Sequence, residues 1–397
     1  MQPRANKRVP LKRRAVVYAI GIAAFAAAIA TIPSVWCGRN AAKWMSGELE
    51  TQLRLARGVE RLVLGNELSR ERFRTGSHQF NGEWLFGTYL MAGLGFGQMA
   101  LEHPELRERH AILMSQCIER LLSPEVRVFD AETWKEDPLQ GLDGNNAHGA
   151  YLGYLNLLLG MHRLASGEVK YASLNDRITA KLIRHLRASP ILMIESYPGE
   201  VYPADNCFAI GSIGLHQRVT GRDHTDVLEP WIKRLRKHYV DPKTGLLIQS
   251  VSKHTGSVLD APRGSGTAFG LFAVHYADPE LARDLYRGIK RSLAGTCLGF
   301  GAVREYPNGI NGQGDIDSGP IMLGYGLSAT GFTIAGARMM GDDRYFEHLF
   351  AMAHLFGAPI NRGDRREYLS GGALGNAILF AMFTAPKLYQ TEQGEEK

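Results

Sequence analysis

Beyond its first forty residues the chain repeats apolar positions at helical spacing. The pattern predicts helices over 45–66, 84–101, 107–123, 146–164, 174–188, 206–219, 226–239, 264–276, 279–295, 318–339, 343–356 and 371–385. These segments alternate in character. The even-numbered ones, such as AHGAYLGYLNLLLG, GSGTAFGLFAVH and GGALGNAILFAMFTA, are rich in small and apolar residues, so they are expected to be buried on every side. The odd-numbered ones, such as LNDRITAKLIRHLR and ELARDLYRGIKRSL, carry charge along one face and suit an outer shell. Inner segments start near 84, 146, 206, 264, 318 and 371, at intervals of 62, 60, 58, 54 and 53 residues, which marks a repeated helical hairpin. Six hairpins predict an all-α fold, an (α/α)6 toroid over residues 45–390 followed by a polar tail, 391–397. An open solenoid is the structural alternative, but it makes no demand for glycine-rich inner helices.

Connection lengths alternate as well. Links into outer segments are short, such as 102–106, 277–278 and 340–342, whereas those into inner segments run 14 to 24 residues. Alternate turns of a hairpin ring lie at opposite ends, so the long loops gather at one mouth, where loops of this length more often carry function.

The N-terminus adds a separate element. Residues 15–36 carry no charge and are long enough to span a hydrocarbon core. Six Lys and Arg residues precede them in a basic tail, 1–14, which accounts for the net charge of +6 and leaves the rest near neutral. Nucleic-acid binding gains no support from charge. By the positive-inside rule the segment is a single-pass anchor in the cytoplasmic membrane, with the toroid outside the cytoplasm after a linker, 37–44. A cleaved signal peptide is the competing reading. Bulky Trp36 argues against lipid attachment at Cys37. Cys37, Cys117, Cys207 and Cys297 form no CxxC pair, so neither zinc nor a disulfide framework is indicated.

The mouth loops carry the candidate chemistry. They include Asp143-Gly-Asn-Asn-Ala-His148, Ser196-Tyr-Pro-Gly-Glu200-Val-Tyr202-Pro-Ala-Asp205-Asn206, Asp260-Ala-Pro-Arg263-Gly-Ser-Gly and Arg304-Glu305-Tyr306 running on to Asp315-Ile-Asp317-Ser318. Candidate catalytic groups are Asp205, Glu305, Asp315, Asp317 and His148, since crowded carboxyls in a shielded cavity push each other's pKa apart and supply an acid and a base. Candidate substrate-binding residues are Trp84, Asn146, Tyr151, Tyr154, Tyr202, Asn206, Arg263, Arg304, Tyr306 and Ser318. Blander readings compete at each position. Asp205, Asp317 and Ser318 make good helix caps, Arg263 or Arg304 makes a structural ion pair, and His148 makes a satisfied buried histidine. Cys207 is more readily a buried small hydrophobe than a nucleophile. No HxxxH or HExxH pairing is present, so no metal or other cofactor is expected.

Three stretches, Tyr151-Leu-Gly-Tyr154-Leu-Asn-Leu, Tyr202-Pro-Ala-Asp205-Asn206 and Asp241-Pro-Lys-Thr-Gly-Leu-Leu, resemble the linalool dehydratase/isomerase family, with the helices between them in the same order. The likeness implies an (α/α)6 toroid whose cavity hydrates, dehydrates and isomerises alcohols without a metal. It departs where that family carries a cavity histidine and two cysteines. Those places here hold Tyr154, Tyr202 and Ile210 or Gly211, so the chain reads as a divergent, membrane-anchored member.

Two catalytic classes follow. One is a metal-independent acid/base enzyme that dehydrates, hydrates or isomerises an alcohol of a lipid or terpenoid. The other is a glycoside hydrolase or polysaccharide lyase, because such toroids also present paired carboxylates to sugars. A non-catalytic envelope binder is the third reading. Only Trp84 and Trp134 lie near the expected mouth, few for a polysaccharide cleft, which favours a small-molecule substrate. Homo-oligomerisation stays open.

Overall fold

The computed structural model describes residues 11–65, 68–310 and 312–388. α1 (Leu11–Gly38) is the apolar N-terminal helix and turns at Arg39 into the short α2 (Ala41–Ser46). Six outer–inner helix pairs follow. The first is α3 (Leu49–Leu64) with α4 (His78–Glu102). The second is α5 (Arg107–Leu122), an extra helix α6 (Pro124–Trp134) in the loop, and α7 (Gly149–Ser166). Then come α8 (Ala172–Ala188) with α9 (Pro203–Thr220) and α10 (Thr225–Arg234) with α11 (Gly264–Val274). The last are α12 (Pro279–Ser292) with α13 (Leu327–Met339) and α14 (Asp343–Gly357) with α15 (Gly372–Phe383).

The inner helices touch in the order α4, α7, α9, α11, α13, α15 and back to α4, so the hairpins form a closed (α/α)6 toroid. Close approach explains their small residues. A Cβ on Gly211 of α9 would lie 2.2 Å from the Ala273 carbonyl oxygen of α11, and one on Gly95 of α4 would lie 2.4 Å from the Phe380 ring of α15. Outer helices bury one face only. In α12, Asp278 caps the Leu281 N–H, Pro279 suits the first turn, and Leu281, Leu285 and Ile289 face inward while Arg287 stays in water. Each such buried leucine contributes roughly 1.5–3 kcal/mol.

The last three long loops carry small antiparallel hairpins, and the third has a single Tyr197–Glu200 bridge. Two-stranded pairs join β1 (Ser250–Val251) to β2 (Val258–Asp260) and β3 (Ala294–Cys297) to β4 (Phe300–Val303). Two more join β5 (Ile321–Met322) to β6 (Tyr325–Gly326) and β7 (Pro359–Arg362) to β8 (Arg365–Tyr368). Periodicity had suggested helix from 318. Pro320 and the Leu323-Gly324 turn instead make a hairpin, and α13 begins only at Leu327. The unforeseen α6 announces itself in Ser123-Pro124-Glu125, with proline at the first helical position.

One device recurs at the mouth. Asn206 accepts from the Ile194 N–H (2.8 Å) and donates to the Ile194 and Tyr202 carbonyls (both 3.0 Å). Asn376 does the same with Tyr368 and Gly372. Thr267 and Thr330 give shorter versions, each accepting from a loop N–H and donating four residues back. Four inner helices thus pin the loop before them, as a repeated hairpin unit requires. At the other end Arg338, wholly buried, binds Glu102 and the carbonyls of Trp44 and Ala385, tying α13 to α4, α2 and the segment just after α15.

Residues 37–44, expected as a linker, are the end of α1, a turn and the start of α2. Cys37 is buried, Trp44 is fully buried against Phe383, and Gly38 packs on Glu347 of α14. α1 has the length and composition of a single-pass anchor or a signal peptide. Residues 1–10 of the basic tail and the tail 391–397 lie outside the described residues.

Candidate active site

Within α7 every residue from Gly149 to His162 is buried except Tyr154, and within α9 every residue from Pro203 to His216 is buried except Asp205. In helices surrounded by other helices, one partly accessible position each marks an internal cavity. Its floor is aromatic: the rings of Tyr154, Phe208, Phe269 and Phe332 run in a chain with centroids 4.4, 4.4 and 4.7 Å apart. On α13, a Cβ added at Gly331 meets nothing within 4 Å.

Polar groups ring the space above this floor. The Tyr154 hydroxyl donates to Asp205 Oδ1 at 2.5 Å, and the Tyr197 hydroxyl donates to Glu83 Oε1 at 2.6 Å. Glu83, on the first turns of α4, has its pKa pushed up to about 8, first by burial, then by the charges of Asp317 and Asp205. Asp317 is exposed at the mouth, yet desolvation by the surrounding loops lifts its pKa to about 6, with the charges of Asp315 and Asp205 adding to it. Burial raises Asp205 too, against the bonds it accepts from Ser196 and Tyr154. Burial and the neighbouring carboxylates hold the Tyr154 and Tyr197 hydroxyls protonated. Glu83, Asp205 and Asp317 therefore share one field.

Beside them lies an ion-pair cluster. Arg263 donates to Asp315 and to the Tyr306 hydroxyl (2.6 and 2.9 Å). Burial pushes Asp315 up, but the Ser318 N–H and the Arg263 guanidinium outweigh it and keep the carboxyl below its usual range. Asp315 is thus a structural counter-ion. Glu305 has no accessible surface; it accepts from Ser265 at 2.5 Å and sits 3.9 Å from Arg263, behind the cavity wall. Ser318 is fully buried and bonds within the Asp315–Gly319 turn. Tyr202 stands at the mouth with its hydroxyl on Glu200, and Trp84 follows Glu83 on α4 with an edge-to-face contact to Phe73.

Other expected site residues serve the frame. His148 is wholly buried between Asp130 (2.5 Å) and Glu136 (3.2 Å), packs at a tilt against Trp134, and adopts φ +50° at the start of α7. With both ring nitrogens engaged and no accessible surface, it does not reach the cavity. Asn146 bonds Glu136 on the same outer side. The fully buried Tyr151 donates to the Leu121 carbonyl, Asn206 is the loop clamp, and Arg304 lies over Tyr325. None of Asp205, Asp317 and Ser318 is an N-cap: Tyr202 caps α9 and Gly326 precedes α13. Cys207 is buried and its thiol pushed up by burial. The four cysteines are free, and among the described residues no three His, Cys, Asp or Glu side chains are grouped to hold a metal ion.

Sequence reasoning passed over Glu83 and Tyr197. A signal was present for Glu83, the one charged side chain in α4 between His78 and its last residue, Glu102. A lone charge in a helix buried all round needs a partner or a function.

Fold and site together define a six-hairpin toroid enzyme with a carboxyl-rimmed, aromatic-floored cavity. The chain belongs to the linalool dehydratase/isomerase family, whose profile matches residues 152–368, more than half of its length. Among solved structures it is similar to the GH76A α-1,6-mannanase of Salegentibacter sp. HEL1_6, at 14% identity and a TM-score of 0.52, covering 86% of this chain and 100% of that one. It is also similar to the GH76 mannosidase Bt3792 of Bacteroides thetaiotaomicron (11%, TM-score 0.52, 86% and 100%). A family 105 glycoside hydrolase of C. acetobutylicum ATCC 824 is comparable (11%, TM-score 0.50, 85% and 99%). At these identities the likeness shows the fold.

Proposed function

We propose that the cavity dehydrates, hydrates or isomerises an alcohol by acid/base catalysis, with Glu83 as the acid and Asp317 as the base. The observation that carries this is a pair of carboxyls set apart, at about 8 and about 6, above an apolar floor. At neutral pH Glu83 is mostly protonated and Asp317 mostly ionised. The Glu83 O–H protonates the substrate hydroxyl and the C–O bond breaks, releasing water. Asp317 takes a proton from the neighbouring carbon, and that C–H electron pair becomes the new π bond. Glu83 has then lost one proton and Asp317 gained one, so a single transfer between them resets the site. Run backwards the sequence hydrates an alkene. With an allylic alcohol, water returning to the far end of the cation isomerises it. Asp205, held by Tyr154, is the positioning carboxyl: its charge lifts both partners. Positioned acid catalysis of this kind typically contributes about 10²–10⁴-fold, and the aromatic floor suits a hydrocarbon chain.

The test is to incubate the full-length protein with tertiary and allylic alcohols of increasing chain length and identify products by gas chromatography and mass spectrometry. Alkenes or rearranged alcohols are expected. Their absence across the series would sink the reading.

The fold likeness supports a glycosidase as the second reading. One Salegentibacter mannanase variant described as inactive is changed at two consecutive aspartates. The consecutive pair here, Asp342 and Asp343, starts outer helix α14, where Asp342 bonds Tyr286 and Lys290. That weighs against mannan chemistry, and release of sugar from α-1,6-mannotriose would restore it.

A further inference from the structure

Thirteen large apolar side chains outside α1 are exposed among the described residues. Seven of them, Val258, Leu259, Leu298, Ile310, Met322, Leu323 and Leu369, lie on the segments that lead into α11, α13 and α15, and Leu327, Leu355 and Phe356 lie at the helix ends that border those segments, so the exposure is concentrated rather than scattered. Two hairpins stand out within this set. β3–β4 turns at Leu298-Gly299 (φ +50° and +83°) and β5–β6 turns at Leu323-Gly324 (φ +52° and +84°). Asn, Asp or Gly fits the first place of such a turn, whereas leucine there costs roughly 1–2 kcal/mol. Leu323 is 94% exposed. In water a leucine at that tip gains nothing that offsets the strain; in an apolar phase it does.

The two hairpins are continuous. β4 runs on through Arg304, which pairs with Tyr325, so they form one band. One end of the band abuts α1, where a Cβ on Gly299 would lie 2.4 Å from Ser34 Oγ, two residues before Trp36 and five before Arg39, the first charge after the apolar stretch. There Arg39 lies 3.7 Å over the Trp36 ring, a cation and aromatic pair suited to a membrane–water boundary. The other end reaches the cavity wall, where the Glu305 N–H donates to the Gly324 carbonyl at 3.0 Å.

We propose that this leucine-tipped band lies in the surface of the bilayer that α1 crosses, so that the cavity draws an alcohol on a long hydrocarbon chain directly from the lipid phase. The choice of an alcohol rests on the function proposed above; the seating on lipid rests on α1 remaining attached and on the hairpins. Amphipathic helices that lie in a bilayer surface bury their apolar face roughly 5–10 Å into the headgroup and acyl boundary, and the same depth is expected of the leucine tips.

The experiment uses full-length protein in phosphatidylcholine liposomes, with Cys297→Ser as background and one fluorescent label at Leu323→Cys or Val169→Cys. Val169 is 75% exposed in the short link between α7 and α8, at the end of the ring away from the mouth. Doxyl-labelled lipid should remove most of the emission at 323 and little at 169, and aqueous iodide should do the reverse. Equal iodide quenching at both sites would overturn the proposal. So would a label at 323 that neither quencher reaches, which would mean that a second copy of the chain covers the band. Neither reading depends on turnover, so failure of the chemistry and failure of the seating are separable.

Discussion

Replacing Glu83 by glutamine is expected to make the protein more stable while removing its acid. In the fold the Glu83 carboxyl holds its proton to about pH 8, whereas in an unfolded chain it releases it near the ordinary carboxylate value. Between those limits the folded state binds the extra proton, so stability falls as pH rises through the window, and the loss is complete above pH 8. At about 1.4 kcal/mol per unit, keeping this group inside costs roughly 3 kcal/mol at pH 7 and under about 1 kcal/mol at pH 5. Glutamine is neutral at both, and its side-chain oxygen still accepts from Tyr197. Roughly 3 kcal/mol is therefore the upper value of the gain, because the amide must itself be desolvated. Melting followed by intrinsic fluorescence from pH 5 to 9 should show the variant rising above the parent with pH, by roughly 3–6 °C near pH 7.5. A variant that melts at or below the parent throughout, or by a pH-independent margin, refutes both the raised pKa and the strain assigned to this site.

Activity on the converted alcohol should follow a bell-shaped pH profile, with limbs near 6 and 8 belonging to the Glu83 and Asp317 pair jointly; a flat profile across that range would contradict it. Asn206→Ala removes a clamp of three hydrogen bonds and leaves the buried Ile194 N–H and carbonyl without those partners, so chemical denaturation should register a loss of about 1–3 kcal/mol. Gly331→Leu points its side chain into open space; it should leave the melting temperature unchanged and raise KM most for the longest substrate.

The ring was legible because its cause is local: glycine-rich stretches that must be buried all round recur at a near-constant interval between charged amphipathic ones. Asp205 and Tyr154 were legible for the same reason, as polar groups at the start of inner helices. Other positions turned on pairings that spacing does not reveal. His148 has the residue type of a general base, but Asp130 and Glu136 close on it from α6 and the loop after it, an element unforeseen in the periodicity. Glu305 and Asp317 look equivalent in sequence. The alternation of the strand that continues β4 turns Glu305 inward to Ser265, while Asp317 sits in a turn that leaves it facing the mouth. Glu83 lay hidden in an inner helix because apolar periodicity treats one charge as noise, and only the Tyr197 loop folding across it makes it part of a site.

The most direct measurement is isotope exchange between solvent and substrate. A long-chain tertiary or allylic alcohol incubated with the full-length protein in H2(18)O should gain labelled hydroxyl oxygen as water leaves and returns. The exchange should fall by about 10²-fold or more in folded Glu83→Gln, and alkene formation should fall as much in folded Asp317→Asn. No exchange in the parent with any alcohol, full exchange in Glu83→Gln, or undiminished alkene formation in Asp317→Asn would contradict an acid/base site built on these two carboxyls.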